Sequence, residues 1–361
     1  MKILLLGFSK IKYMPYANFY LDNLNKTKHD IHLLYWNRDL KEEDTEQYQS
    51  YTLHEFKCYQ EDEISKVSKI KNFWKYRAYA LKIIKQQKFD FIIVLHSLPG
   101  VLIAKKLRKQ YPGKYIFDYR DSTYEKFAPY KKIIANLVNY SYATFVSSDG
   151  FRKFLPQSEK IYTSHNILTD SLNHRKEKHQ NGVVSDKIRI AFWGFIRHEA
   201  LNQEIIKKIA KDKRFELHYY GREQTTALNL KKYTHEIGAE NVFFHGEYKP
   251  KDRYDFVKNT DIIHNVYYDN NMMIAMGNKY YDGIIFYLPQ ICMNGSFMGE
   301  SVEKNGIGWQ VNPYDEDFTE RLYVNYKSIQ SDGFYNRCDK RLEEVLKEYR
   351  AGVAIVKEIR R

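Results

Sequence analysis

Short apolar runs alternate with amphipathic stretches along almost the whole chain. Apolar runs of this length predict buried strands, and the helical spacing between them predicts crossover helices, a pattern typical of parallel α/β sheets. In the first half it predicts strands at residues 2–6, 31–35, 51–56, 91–95, 114–117, 144–146 and 160–163. The helices between them are predicted at residues 16–24, 70–84, 101–109 and 131–140.

The alternation breaks once and then restarts. Residues 171–187 are polar and charged, which predicts a linker or surface loop. Further strands are predicted at residues 188–193, 216–220, 242–245, 261–265, 289–292 and 308–311. Helices are predicted at residues 201–210, 225–237, 251–258 and 279–286, with a long helical tract from about residue 318.

This order predicts an α/β protein with two doubly wound, Rossmann-like domains. We expect an N-terminal domain at 1–170, a linker at 171–187 and a C-terminal domain at 188–345. A last helix at 346–361 would pack back on the N-terminal domain. Ligands bind beyond the carboxyl ends of such strands, so the two domains would face each other across an interdomain cleft.

Composition narrows the cellular context. The 361 residues are 43% hydrophobic, enough for two large cores. The three cysteines lie far apart and in no metal-ligand spacing, which favours a reducing compartment. The apolar start ends at Leu6 without a cleavage signal, and no run reaches the roughly 18 apolar residues of a membrane span. We therefore expect a cytoplasmic protein. Its charge of 58 − 45 = +13 favours an anionic partner.

Glycines follow three strands of the second half. Gly194 is followed by Arg197, Gly221 by Arg222, and Gly246 by Glu247. Glycine lets the backbone turn tightly and approach a ligand, and helix N-terminal amides with an arginine can hold a diphosphate. Each pair alone also fits an ordinary turn, so the recurrence carries the prediction.

One helical segment adds polar groups at the next strand. Asn278 is placed to cap a helix that carries Lys279 and Asp282 on one face. A carboxylate there can accept ribose hydroxyls, and a lysine one turn earlier can meet phosphate. The alternative is a capped surface helix with a local salt bridge.

Together these segments resemble the GT-B glycosyltransferases of the family 4 type, which assemble bacterial capsular and surface polysaccharides. The motifs occur in the family's order: W-G-F-I-R, Y-Y-G-R, N-V-F-F-H-G, D-I-I-H-N and N-K-Y-Y-D-G-I-I-F-Y-L-P. In the first half, the sequence D-Y-R-D, which ends at Asp121, is similar to the end of a strand in that family. His165-Asn166 is similar to the family's turn before the linker. The resemblance covers mainly residues 188–311.

The resemblance implies roles by position. Asp282 would hold the donor ribose, Arg197 and Lys279 the diphosphate, and Gly246 with Glu247 the base. Asp121 would enter from the acceptor side as the acid/base, with His96 as its competitor. The family's glycine-rich first loop is reduced here to Gly7, the glutamate at 282 is an aspartate, and the other glutamate of its E-x7-E pair falls at Ile274.

The same resemblance implies a UDP- or GDP-linked sugar as donor substrate and a glycan or lipid-linked acceptor. No metal and no further cofactor are expected, because no DxD-type motif sits at a strand end and cationic side chains can stabilise the leaving diphosphate. We find no nucleic-acid module and expect no nucleic-acid partner.

One predicted helix carries an unusual charge pattern. Residues 64–89 contain eight Lys or Arg and no Asp or Glu, with Ile70, Phe73, Trp74, Leu81 and Ile84 at helical spacing. Such a helix can lie on an anionic bilayer at the inner face of the cell membrane. The alternative is a core-packed helix with a solvated lysine face.

Two rival functions stay open at this point. A sugar-nucleotide epimerase of the same two-domain build would need no acceptor. A non-catalytic partner that binds a nucleotide sugar or glycan would fit the isoleucine at position 274. A nicotinamide enzyme is disfavoured, since neither half has G-x-G-x-x-G after a strand.

Overall fold

A computed structural model describes residues 1–60, 65–180, 186–329 and 333–359. Contacts divide the chain into two compact units, unit 1 (Met1–His165 with Lys347–Arg361) and unit 2 (Asn166–Leu346). Each unit contains one sheet in which every neighbouring pair of described strands is parallel.

Unit 1 is built on a seven-stranded sheet in the order β3-β2-β1-β4-β5-β6-β7. Its strands are β1 (Lys2–Leu6), β2 (Asp30–Asn37), β3 (Thr52–Lys57), β4 (Phe91–Leu95), β5 (Tyr115–Tyr119), β6 (Ala143–Val146) and β7 (Ile161–Thr163). Its helices are α1 (Ala17–Leu21), α2 (Lys66–Gln87), α3 (Ser97–Gln110) and α4 (Ala128–Tyr140). The order reverses between β1 and β4, which makes their carboxyl ends the switch point of the sheet.

Unit 2 repeats the plan with six strands in the order β10-β9-β8-β11-β12-β13. The strands are β8 (Ile188–Trp193), β9 (Phe215–Tyr220), β10 (Val242–Phe244), β11 (Ile262–Asn265), β12 (Gln290–Met293) and β13 (Gly308–Val311). The helices are α5 (Glu199–Ala210), α6 (Thr225–Glu236), α7 (Arg253–Lys258), α8 (Asn278–Ile285), α9 (Phe297–Lys304), α10 (Phe318–Ile329) and α11 (Phe334–Lys357). The switch point lies between β8 and β11.

The prediction of two doubly wound parallel sheets is confirmed, and each predicted strand is present within two residues of its expected bounds. The strands are recognisable because both faces of a parallel sheet are covered, so their residues are almost continuously apolar. Helix α9 was not predicted, although Ser296 caps it by accepting from the Gly299 N–H at 3.0 Å. The predicted tract from residue 318 is two helices, α10 and α11.

The predicted linker or surface loop differs from the structure over its described part. Thr169–Gln180 forms a 3-10 helix, and Ser171 within it is fully buried. The polar composition of the segment gave no sign of this burial, because Ser171 is covered by packing against α7 and α8. Residues 181–185 of the predicted linker lie outside the described residues.

The end of α11 packs within unit 1. Val356 and Ile359 join the apolar core under β1, β2 and β4. The Tyr349 ring lies 5.5 Å from the Phe19 ring, and the His165 Nε2 atom lies 2.8 Å from Glu348 Oε2. Helix α11 thus starts in unit 2 and ends in unit 1.

Candidate functional site

Three glycines lie side by side at the carboxyl edge of the unit 2 sheet. Gly194 donates its N–H to the Tyr220 carbonyl at 2.9 Å, and Gly221 donates to the Gly246 carbonyl at 2.8 Å. A Cβ atom on Gly221 would lie 2.1 Å from the Gly194 carbonyl oxygen, so only glycine fits there. Gly194 and Gly246 have φ angles of 116° and 76°, which favour glycine. Gly221 is buried and Gly194 and Gly246 are half-buried, so this edge is closely packed backbone that no side chain covers from these three positions.

Two side chains of helix α8 form hydrogen bonds with Trp193, the residue before Gly194. The Lys279 Nζ atom donates to the Trp193 carbonyl at 2.9 Å and also to the Tyr267 hydroxyl. The Trp193 indole N–H donates to Asp282 Oδ2 at 3.0 Å. Both charged side chains are buried, Lys279 at 8% and Asp282 at 3% exposure. The expected alternative of an exposed helix with a surface salt bridge is therefore wrong.

Burial changes the acid–base properties of both groups. Loss of water lowers the pKa of Lys279 to about 7, with Asp282 opposing the shift and Arg197 adding to it. Loss of water also raises the pKa of Asp282, while Arg253 and the Trp193 indole oppose that rise. The lysine is thus poised to gain or lose a proton near neutral pH, directly under Gly194.

Arg253 is a site residue that the sequence interpretation missed. It is buried at the start of α7, with its Nη1 atom 3.7 Å from Asp282 Oδ1 and its Nη2 atom donating to Ser171 Oγ at 2.6 Å. Its Nε atom is buried without a hydrogen-bond partner. In the sequence, Arg253 is an arginine in a segment predicted as an amphipathic helix. A charged residue in such a helix is normally solvated, so nothing indicated its burial.

The remaining predicted side chains of unit 2 lie at its surface. Arg197, Arg222, Glu247 and Asn278 are exposed. Arg197 is close enough to Lys279 to lower its pKa. The cap prediction for Asn278 is wrong, since Gly277 is the N-cap of α8 and Asn278 is its first residue. The extended φ and ψ of Gly277 suit the cap position, where glycine is also common.

At the corresponding edge of unit 1, side chains open into a hollow of about 420 Å³. It lies beyond the carboxyl ends of β1 and β4 and is lined by Phe8, Arg38, Lys69, Phe73, His96 and Asp121, among others. Gly7 precedes Phe8 of this lining. Only glycine fits at position 7, because a Cβ there would lie 2.5 Å from Met14 Cε. The Gly7 carbonyl accepts from the Tyr76 hydroxyl at 2.6 Å. Gly7 thus allows close packing behind the hollow.

The two catalytic candidates of unit 1 are neighbours. The His96 Nε2 atom lies 3.3 Å from Asp121 Oδ2. The other ring nitrogen, Nδ1, accepts from the Leu98 backbone N–H at 3.4 Å at the start of α3. In the neutral ring Nε2 then carries the proton and faces the carboxylate. His96 also has a φ of 91°, a strained conformation for a residue with a side chain.

The residues just before Asp121 include a buried ion pair. Arg120 Nε lies 2.9 Å from Asp118 Oδ1, and the guanidinium also donates to Ser164 Oγ at 3.1 Å. The Asp121 carbonyl accepts from Ser97 Oγ at 3.2 Å. Of the three charged residues in D-Y-R-D, only Asp121 is exposed. The strand end therefore presents one exposed carboxylate at the hollow.

Within the described ranges, no group of three or more His, Cys, Asp or Glu side chains is arranged to hold a metal ion.

Solved structures share the fold of the whole chain at low sequence identity. The sucrose-phosphate synthase from Thermosynechococcus elongatus has a TM-score of 0.65 at 11% identity, covering 98% of this chain and 100% of that one. HepE of Anabaena, in complex with UDP and glucose, has a TM-score of 0.65 at 12% identity, with 99% of each chain covered. WaaG, a glycosyltransferase involved in lipopolysaccharide biosynthesis, has a TM-score of 0.67 at 12% identity, covering 99% and 100%.

The chain has the GT-B fold. The fold expected from the motif order is confirmed by these structures, since each pairs two Rossmann-like domains as this chain does. No family model and no curated protein matches the sequence.

Proposed function

We propose that this protein is a glycosyltransferase that moves a sugar from a UDP- or GDP-linked donor to a glycan or lipid-linked acceptor in surface polysaccharide biosynthesis. The observation that carries the proposal is the Gly194–Gly221–Gly246 edge with Lys279, Asp282 and Arg197 around it. It joins strand ends without side chains to nearby positive charge, so that a pyrophosphate can come close to both. The fold is that of HepE, which was solved with UDP and glucose, and of WaaG.

In this proposal the donor nucleotide binds at unit 2. Asp282, oriented by Trp193 and Arg253, accepts the ribose hydroxyls. Gly246 and Glu247 contact the base. Arg197 forms an ion pair with the diphosphate. Lys279 adds positive charge close to Gly194, since a Cβ on that glycine would lie 4.0 Å from the Lys279 Nζ atom. The leaving oxygen gains negative charge as the glycosidic bond breaks, so these cations lower the barrier without a metal.

The acceptor binds at unit 1, with Asp121 as the base that takes the proton of the attacking hydroxyl. The tautomer of His96 supports this choice between the two candidates. With Nδ1 accepting from Leu98, the nitrogen that faces Asp121 carries a proton and cannot accept another. His96 therefore orients the carboxylate, because its Nε2–H points toward Asp121 Oδ2.

Helix α2 is the proposed contact with an anionic membrane. Val67, Ile70 and Trp74 are 76%, 56% and 59% exposed along one face, and Arg77 stacks on Trp74 at 5.3 Å. Lysines 71, 75, 82 and 85 are exposed around it. The other apolar residues turn inward, since the Phe73 ring packs 5.7 Å from Phe8 and Ile84 is buried. Among the described helices, none is long and apolar enough to cross a bilayer.

The membrane contact is tested by vesicle flotation at low and high salt. The protein should float with vesicles containing anionic lipid and not with neutral ones, and salt should weaken the binding. Trp74→Ser should reduce flotation about tenfold. Tyr140→Ser, which removes an exposed aromatic from α4, is the control and should float normally. Equal binding to neutral vesicles would contradict the proposal.

The function is tested by incubating the protein with UDP- and GDP-sugars, with and without bacterial lipid extract. We expect nucleotide diphosphate to be released only when an acceptor is present, and a sugar to appear on the acceptor. A change of the nucleotide sugar without acceptor would favour the epimerase. Tight binding without turnover under any condition would favour the non-catalytic partner.

A further inference from the structure

A histidine and an aspartate meet at the switch point of unit 2, outside the roles already proposed. His198 is the last residue before α5, and Asp269 lies in the loop between β11 and α8. The His198 Nε2 atom lies 3.4 Å from Asp269 Oδ2. Because β8 and β11 are adjacent parallel strands, both residues lie at the edge that carries Gly194.

The backbone of His198 is held in an unfavourable conformation. Its φ and ψ are 59° and 62°, the left-handed region that non-glycine residues avoid. Its side chain makes no capping hydrogen bond to α5, so helix capping does not explain the conformation. Strain of this kind persists where a side chain must point in a particular direction. Here it points the imidazole at the loop after β11.

Asp269 is oriented by that same loop. Its Oδ1 atom accepts from the backbone N–H groups of Asn271 and Met272 at 2.9 and 2.8 Å, which leaves Oδ2 facing His198. The pair is not aligned as a hydrogen bond, and Nε2 is buried without a hydrogen-bond partner. A hydroxyl group could satisfy both atoms at once, since it donates to a carboxylate and accepts from an N–H.

The charge state of the pair suits a neutral hydroxyl. Burial lowers the pKa of His198, Asp269 opposes the shift, and Arg197 adds to it, which favours the neutral form of the ring. Because a neutral ring carries no positive charge, the diphosphate would be bound by Arg197 and not by His198. Asp269 is the only acidic residue in the loop 266–277, and Ile274 in that loop is buried. The carboxylate available to a sugar from this loop is therefore Asp269.

We propose that His198 and Asp269 hold a hydroxyl of the transferred sugar and so help to select the donor. The inference rests on the proposed function, because it presumes that a nucleotide sugar occupies this edge. The ligand class is a neutral, hydroxyl-bearing hexose on a nucleoside diphosphate.

The test compares nucleotides with and without a sugar. We would titrate UDP, UDP-glucose, UDP-galactose, UDP-N-acetylglucosamine, GDP and GDP-mannose calorimetrically into the protein and two variants. His198→Gly keeps the left-handed backbone without the ring. Asp269→Asn keeps an oxygen for the two backbone N–H groups but places an amide where the hydroxyl would donate. His235→Ala, an exposed histidine of α6, is the matched control.

We expect both variants to bind the preferred nucleotide sugar about tenfold more weakly and the matching free nucleotide within about twofold of the unmodified protein. If both bind the nucleotide sugar as well as the unmodified protein does, the sugar-holding role is wrong. If they lose free nucleotide and nucleotide sugar equally, the pair supports the diphosphate loop and the inference is also wrong. If the unmodified protein binds none of the six compounds, the proposed function itself fails.

Discussion

The carboxyl edges of the two sheets follow one plan but present different chemistry. In unit 1, side chains open into a hollow, and the Asp121 side chain is 52% exposed. In unit 2, Lys279 and Asp282 are buried next to the Gly194 turn, and the edge itself is glycine backbone. A diphosphate can be held by backbone N–H groups, whereas removing a proton needs a side chain at the surface. The difference fits the donor site that we propose in unit 2 and the acceptor site that we propose in unit 1.

The charges behind the two edges also differ. In unit 1 the buried pair of Asp118 and Arg120 is neutral as a whole. In unit 2 a single buried carboxylate, Asp282, lies among two basic side chains, Arg253 and Lys279. An excess of positive charge in a low-dielectric interior acts strongly on a nearby anion. In the proposed donor site, this charge would attract the diphosphate to the backbone edge, most strongly at a pH where Lys279 is protonated.

The largest expected effect comes from Asp282→Ala. It removes the acceptor of the Trp193 indole and leaves Arg253 without its buried carboxylate, so we expect the free energy of unfolding to fall by about 3 kcal/mol. Nucleotide binding should also be lost. Urea unfolding and calorimetry measure both. Asp255→Ala, an exposed acid of α7, should change stability by less than about 0.5 kcal/mol. Equal effects of the two variants would contradict the buried network.

Asp121→Asn should have the next largest effect, on turnover alone. Loss of the base should reduce kcat about 100-fold to 1,000-fold, because general base catalysis contributes on that order. The carboxylate belongs to unit 1, so the affinity for UDP or GDP should stay within about twofold. Steady-state transfer assays and nucleotide titration separate the two quantities. Unchanged turnover would remove Asp121 from the mechanism, and lost nucleotide binding would remove the division of roles between the units.

Gly221→Ala tests the backbone edge itself. The new Cβ would lie 2.1 Å from the Gly194 carbonyl, which must move, so we expect about 2 kcal/mol of destabilisation and weaker nucleotide binding. A Cβ on Gly277 meets nothing within 4 Å, so Gly277→Ala is the control, with only the cost of about 0.5 to 1 kcal/mol expected for alanine at the N-cap of α8. The same stability for both variants would show that the close approach at Gly221 is relieved at no cost.

The smallest expected effect is a pH dependence from Lys279. Its pKa is about 7 when folded and about 10.4 when unfolded, so between these values the unfolded chain binds a proton that the folded chain does not. Stability should therefore rise with pH, by roughly 1 kcal/mol per unit between pH 7 and 9, relative to Lys279→Met. Nucleotide affinity should fall over the same range as the cation is lost. If the free energy of unfolding changes equally with pH in the two proteins, the lowered pKa of the buried Lys279 is contradicted.

The sequence predicted the fold better than the site. The strands and the three glycines are local patterns, since each strand is apolar and each glycine follows a strand end. The burial of Lys279 and Asp282 was not predictable, because charged residues on a short helix normally face solvent and the cover comes from distant residues such as Trp193. Arg253 and Ser171 were missed for the same reason. Their contact joins two segments far apart in the chain.

Calorimetric titration of UDP and GDP into the unmodified protein and Arg197→Ala tests whether unit 2 binds the donor nucleotide through its diphosphate. Arg197 is exposed beside the glycine edge, so its loss should not affect folding. We expect one of the two nucleotides to bind with a Kd in the micromolar range and the variant to bind it at least about tenfold more weakly. Equal affinity in the two proteins, or no binding of either nucleotide at millimolar concentration, would contradict that expectation.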